Sequence, residues 1–314
     1  MTRPASAIRP NLRFEHSAVF YRNAADYRAG LVPFVEDGLA AGEPVAVAVP
    51  GGNLNLLRDA LGPAGRHVRW VNMAVAGRNP GRIISGVLLS FADTHPDQRV
   101  RIIGEPVWPG RSADEYPACA QHEALLNHAF TGRRASIVCP YDAARLNPLV
   151  LADVAATHPV VAEGPNRLPS DRYAPDAVVA EYNQPLPEPR TGHVDELIDG
   201  RGIALARYVA TEQGHAAGLD AERQGDVALV VTELVTNGIE HGGGTSRLRV
   251  WITRDHLVCE ATDTGKLTDP LAGRRPAQPG QQRGFGLLLV NALADLVRTH
   301  TTPESTTIRA YFRR

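Results

Sequence analysis

One stretch of sequence, Asp226–His241 (DVALVVTELVTNGIEH), spaces a carboxylate, a carboxamide and an imidazole four residues apart: Glu233, Asn237 and His241. On a helix these three share one face. Val227, Val230, Val231 and Leu234 form a separate apolar face for a core. A carboxylate and a carboxamide one turn apart hold a hydrated Mg²⁺ from one side, with water and substrate phosphates completing its shell. Glu233 is then placed to act as a base on a hydroxyl or a water. Taken alone, the same spacing also describes an ordinary solvated face of an amphipathic helix.

Further chemistry follows along the chain. Asp263-Thr264-Gly265 ends an alternating segment. A buried Asp there accepts a hydrogen bond from an amino group such as the exocyclic amine of adenine, and the glycine lets a ring approach the backbone. The alternative is a plain turn, which Asp and Gly both favour. Gly284-Phe285-Gly286-Leu287 opens a helix, where exposed N–H donors suit phosphate. Thr306-Thr307 begins the final alternating run.

The elements that must position these residues are legible from periodicity. Helices are expected at 201–216, 226–241 and 285–296. Alternating segments at 247–253 and 257–262 read as a hairpin, and 297–301 and 306–312 as final strands. A Gly/Pro/Gln-rich loop runs from Gly265 to Gly284. This is an α+β pattern with an antiparallel-dominated sheet. Upstream the pattern changes. Val45–Val49, Val100–Ile103 and Ser136–Cys139 read as short buried strands, with 68–71 as a weaker one. Helical patterns lie between them at 23–41, 53–61, 80–94, 118–131 and 148–157. Strands alternating with helices imply a mostly parallel sheet covered on both faces. Pro159, Pro165, Pro169, Pro175, Pro185, Pro187 and Pro189 mark a connector between the halves.

A chain of 314 residues favours two domains. A net charge of −1 argues against a direct nucleic-acid partner. No apolar run approaches a membrane span, and Met1–Pro10 lacks the apolar core of a signal peptide. Cys119, Cys139 and Cys259 are too few and too scattered for a disulfide framework, so the cytoplasm is the expected compartment. The single lysine, Lys266, leaves no Gly-Lys-Ser/Thr tripeptide. A phosphate site must therefore be built without a Walker-type P-loop.

In this order the C-terminal motifs resemble the GHKL ATPase superfamily, which has the Bergerat fold. Glu233-Leu234-Val235-Thr236-Asn237 with Glu240-His241 resembles its N box, Asp263-x-Gly265 its G1 box, and Gly284-x-Gly286-Leu287 its G2 box. The segment is most similar to the anti-sigma-factor serine kinases of bacterial partner-switching systems. That resemblance implies ATP and Mg as cofactors. It implies a sigma factor and a STAS-domain anti-sigma antagonist as partners, the antagonist phosphorylated on Ser or Thr. It also implies a homodimer, as in related kinase domains. By position, Glu233 would be the general base and Asn237 the Mg ligand. Asp263 would read adenine, with Gly265 beneath it and Thr306 nearby, and Gly284 and Gly286 would line the phosphates. Arg207 matches a family arginine that approaches the phosphates or the partner. Two departures stand out: Leu267 occupies the second glycine position of the G1 box, and Phe285 the usual arginine position of the G2 box. They motivate an alternative, a nucleotide-binding module that sequesters a partner without catalysis. A histidine-kinase-like protein is a further alternative, opposed by the short Lys266–Gln282 lid.

In the first half, Glu105 and Trp108 follow a strand, His122 lies on a helix, Cys139 and Tyr141 end a strand, and His16 and Tyr21 lie near the start. Residues after parallel strands line the crevice where ligands bind. These clusters resemble the MEDS sensory domain, which implies a RecA-like α/β fold and a small-molecule ligand. Cys119 and His122 have C-x-x-H spacing, and with Cys139 and His16 they make a candidate zinc or haem cluster; the alternatives are cysteines that only pack and an apolar pocket lined by Trp108, Tyr116 and Tyr141. The expected organisation is a MEDS-like sensory domain at 14–159, a Pro-rich linker at 160–194, and a GHKL histidine-kinase-like ATPase domain at 195–314.

Overall fold

Val45–Val49 and Ala135–Asp142 are buried along their whole length, as strands covered on both faces must be. They are β2 and β5 of a seven-stranded sheet in a computed structural model that describes residues 14–164, 166–189, 192–276 and 284–314. The other strands are β1 (Glu15–Tyr21), β3 (Val68–Asn72), β4 (Val100–Gly104), β6 (Val160–Glu163) and β7 (Asn166–Pro169). The order is β3-β2-β4-β5-β1-β6-β7. Every neighbouring pair is parallel except the terminal β6–β7 hairpin. Helices α1 (Ala24–Ala40), α2 (Gly51–Leu61), α3 (Tyr116–Ala129) and α4 (Pro148–Thr157) intervene. Asn23 starts α1 by accepting from the N–H groups of Ala25 at 2.8 Å and Asp26 at 3.0 Å.

The chain divides into two compact units that interleave in sequence. One takes residues up to 74, with 90–110 and 126–175; the other takes 75–89, 111–125 and 176–314. The core of the first is Val-, Leu- and Tyr-rich, with Tyr27, Leu31, Val47 and Ile103 fully enclosed. β1 was not expected, because His16 and Ser17 break its apolar run. The segment read as a connector also holds regular structure: β6, β7 and a short helix α5 (Pro175–Glu181).

The second unit is built on a five-stranded antiparallel sheet of β8 (His193–Asp199), β9 (Thr245–Ile252), β10 (His256–Asp263), β11 (Leu296–Thr301) and β12 (Thr306–Arg313). The order is β11-β12-β10-β9-β8. Helices α6 (Ile203–Ala216), α7 (Ala221–His241) and α8 (Gly286–Leu293) pack their apolar residues with the inner face of the sheet. α7 starts five residues before its expected position because Asp220 caps it, accepting from Arg223 N–H at 2.8 Å. Within this unit Asn79 donates to the Asn291 carbonyl of α8 at 2.9 Å.

The sheet is clamped by an ion cluster. Glu260 on β10 lies directly opposite Arg249 on β9 and Arg309 on β12. Arg249 Nε donates to Glu260 Oε1 at 2.8 Å and Arg309 Nε to Oε2 at 2.7 Å, all three residues being buried. Glu188 completes the cluster on Arg249.

Candidate functional site

The face of α7 predicted to carry chemistry does border a cavity. A space of about 580 Å³ is lined by Asn237 and His241 of α7, by Asp263 and Gly265 at the end of β10, by Gly284, Gly286 and Leu287 at the start of α8, and by Thr306 of β12. Residues Lys266–Thr268 and Gly273 close another side. That size falls in the range of small-molecule and cofactor sites.

Glycines allow the close approach of these elements. A Cβ added at Gly286 would lie 2.6 Å from Glu233 Oε2 and 3.0 Å from Asn237 Nδ2. The first turn of α8 therefore rests on the Glu233 and Asn237 side chains. Asn237 Nδ2 is buried and has no hydrogen-bond partner among the described residues, so the carboxamide keeps polar capacity for something in the cavity. Gly284 has a φ of +89°, in the left-handed region that favours glycine.

Asp263 stands in a nest of glycines. A Cβ at Gly242 would lie 2.4 Å from its Oδ1, and one at Gly265 would meet both the His241 carbonyl at 2.5 Å and that same Oδ1 at 2.8 Å. Gly265 N–H donates to Asp263 Oδ1 at 2.7 Å. Burial pushes the Asp263 carboxyl up, while the Gly265 N–H and the nearby His241 pull it down. Thr306, paired in register with Asp263, donates its hydroxyl to the Gly265 carbonyl at 2.9 Å and accepts from Leu267 N–H at 3.1 Å. Thr306 thus braces the Asp-x-Gly turn. Leu267, at the departed glycine position, is held through its backbone by that hydroxyl.

Arg207 is exposed on α6, and its Nε donates to Thr232 Oγ1 at 3.1 Å, one residue before Glu233. Arg283, the residue ahead of Gly284, falls outside the described residues, as do 277–282 of the expected lid.

In the first unit the sensory candidates separate into two groups. Glu105 is buried and accepts from Tyr27 Oη at 3.0 Å, Tyr21 Oη at 3.3 Å and Asn53 Nδ2 at 2.8 Å. Burial pushes its carboxyl up to about 7, against the lowering effect of those three donors. His16, Cys139 and Tyr141 form the other group, joined by His158, which sequence reasoning had not singled out. His16 Nε2 and Cys139 Sγ are 3.5 Å apart, and the Tyr141 and His158 rings meet edge to face at 5.5 Å. Trp108 is half-buried after β4. His122, buried on α3, falls in the second unit.

Two family models match the chain. Residues 15–159 match MEDS, the methanogen/methylotroph, DcmR sensory domain. Residues 198–312 match the histidine kinase-like ATPase domain. The serine-protein kinase RsbW of Halalkalibacterium halodurans is 32% identical to this chain, over 33% of the chain and 76% of that kinase. The chain belongs to the RsbW family. The RsbW-like part is preceded by the MEDS match, so the family resemblance covers only the C-terminal portion. A solved structure of the RsbU and RsbW domains of Rv1364c from Mycobacterium tuberculosis is 18% identical, with a TM-score of 0.31. That match covers 39% of this chain and 32% of the other. Among the described residues no helix is long and apolar enough to cross a membrane.

Proposed function

We propose that the C-terminal part binds ATP with Mg and phosphorylates a Ser or Thr hydroxyl of a STAS-domain antagonist, competing with its hold on a sigma factor. The observation that carries this reading is the cavity shared by Asn237, Gly286 and Asp263, with Glu233 packed against Gly286 beside it. Asp263 takes the adenine amino group, Gly284 and Gly286 admit the phosphates, and Asn237 holds the metal, with Glu233 as its neighbour. The ion, when bound, offsets the charge of the phosphate oxygens. Glu233 accepts the proton of the partner's hydroxyl. That oxygen bonds to the γ-phosphorus, the bond to the bridging oxygen breaks, and ADP leaves. Transfer of this kind asks for positioning and charge stabilisation more than covalent catalysis, which suits so small a set of side chains.

The N-terminal part is read as a RecA-like sensory domain for a small molecule, acting on the Bergerat-type kinase part in the cytoplasm. A ligand alters output only through different affinity for two conformations. The Asn79–Asn291 bond, on the helix that begins with Gly286, supports a route between MEDS-matched residues and the cavity. The sequestering alternative draws on Leu267 and Phe285. A dimer belongs to the same reading.

The test is incubation of the full chain with labelled ATP, Mg²⁺ and candidate STAS antagonists. Label on an antagonist should fall by about 10²–10⁴ in rate for Glu233→Gln, the usual weight of a general base. ATP binding without transfer to any antagonist would turn the reading to the sequestering module.

A further inference from the structure

We propose that His16, Cys139 and His158 form a metal site in the first unit, one that takes a zinc-class divalent ion and ties two strands to a helix end. The proposal is independent of the nucleotide site.

Topology brings the three donors together. His16 on β1 is in register with Ile137 on the parallel neighbour β5. Cys139 is two residues further along, so it points to the same face of the sheet as Ile137. His158 directly follows α4. All three are at most 1% exposed, and their ligand atoms lie within 4.8 Å of one another. The His16 and His158 rings are 4.0 Å apart.

The surrounding hydrogen bonds orient both imidazoles. His158 Nδ1 lies 2.9 Å from the Val154 carbonyl oxygen, which only accepts, so Nδ1 carries the proton and Nε2 the lone pair. Asn127 Nδ2 donates to the Thr157 carbonyl at 2.8 Å. That leaves Asn127 Oδ1 facing His16 Nδ1 at 3.1 Å, and it too only accepts. Both histidines are thereby set in the tautomer that offers Nε2, the arrangement second-shell partners impose on metal-ligating imidazoles.

The distances suit the ion. Zn–N near 2.0–2.1 Å and Zn–S near 2.3 Å, across a tetrahedral angle, put nitrogen and sulfur about 3.6 Å apart. His16 Nε2 and Cys139 Sγ are 3.5 Å apart. Two imidazoles and one thiolate are a borderline-soft set that zinc accepts, and the fourth position falls to a donor outside these three. Binding replaces the Cys139 S–H with an S–metal bond and releases one proton to solvent, with no change of oxidation state. Such enclosed donors take up metal as the chain folds. The expected C-x-x-H pair is not the ligand set: Cys119 and His122 are not among the clustered donors, whereas His158 is.

The experiment uses the full chain, grown with added zinc or refolded with it, then washed with chelator and analysed by atomic emission. About one zinc per chain is expected in the wild type, falling to background in Cys139→Ser and in His158→Gln. Because either variant could fail to fold, each is checked by circular dichroism. The wild type is also refolded with cobalt(II), where thiolate-to-metal absorption should appear and Cys139→Ser should lack it. Folded wild type without zinc by either route, zinc that survives both substitutions, or retention of copper instead would overturn the assignment.

Discussion

Gly286 rests against the carboxylate of Glu233: a Cβ there would stand 2.6 Å from Oε2. The contact joins the first turn of α8 to the catalytic face proposed for α7, and it leaves no room for a side chain. Gly286→Ala must push the Glu233 carboxylate, and with it the Asn237 carboxamide, away from their present positions. Overpacking of about 1–3 kcal/mol predicts a loss of about tenfold to a hundredfold in adenine-nucleotide affinity, with the β8–β12 sheet intact. Calorimetric titration of ATP into wild type and variant, with circular dichroism as the folding control, checks this. Unchanged affinity would separate Gly286 from the nucleotide site.

Asp263 makes a second case at the same cavity. Its nest of glycines and the Thr306 brace hold the carboxylate where an adenine amine is proposed to dock. Asp263→Asn keeps the shape but offers an NH₂ group in place of one acceptor oxygen. Affinity for ATP should fall by about tenfold or more, the worth of a lost charge-assisted hydrogen bond, while discrimination between ATP and GTP narrows. Competition binding with both nucleotides reads the two effects.

Glu105 gives the first unit a pH dependence. Burial holds its carboxyl up at about 7, above the ordinary carboxylate value of 4.5, so the folded state holds that proton more tightly than the unfolded chain does. Its contribution is full below about pH 4.5 and is lost as pH rises through about 7. The difference is worth about 3 kcal/mol. Native-state hydrogen exchange at β2 and β4 should therefore show wild type losing about that much relative to Glu105→Gln between those two pH values. A flat difference would mean that the carboxyl titrates normally.

Glu260 gives the second unit a stability test. Removing it leaves Arg249 and Arg309 buried without their shared carboxylate. Breaking a buried pair in this way costs about 3–5 kcal/mol. Glu260→Ala should lower the denaturation midpoint of the second unit accordingly. A Glu260→Leu variant with both arginines also replaced by apolar residues should recover much of the loss.

Much of this was legible in the sequence, for identifiable reasons. The run Val45–Val49 is apolar without interruption, Ser136–Cys139 is apolar after its first residue, and the two faces of α7 are separated by its 3.6-residue period. Asn237, Asp263, Gly265, Gly286 and Thr306 meet at one cavity, because their motifs occur at element ends. β1 and β8 were hidden by polar residues: His16 and Ser17 in one, Asp195, Glu196 and Asp199 in the other. The first turn of α7 was hidden by Gly225 and its charged neighbours. Glu260 reads as one acidic residue in an apolar strand, and only strand register reveals the two arginines across from it. His158 reads as a helix boundary, and its approach to His16 depends on a pairing that sequence spacing does not encode.

That pairing also bears on how the chain acquires its structure. β1 is an interior strand of the first sheet, with β5 on one side and β6 on the other. Glu15 and Ser136, partners in register, are 121 residues apart. Closing so long a loop demands its entropy in advance of any reward, and sheets assembled from distant segments form slowly. Until β5 has been synthesised and has found its place, Glu15–Tyr21 has no strand to lie against. During that interval a short segment with four apolar residues, Ala18 to Tyr21, is open to stray association.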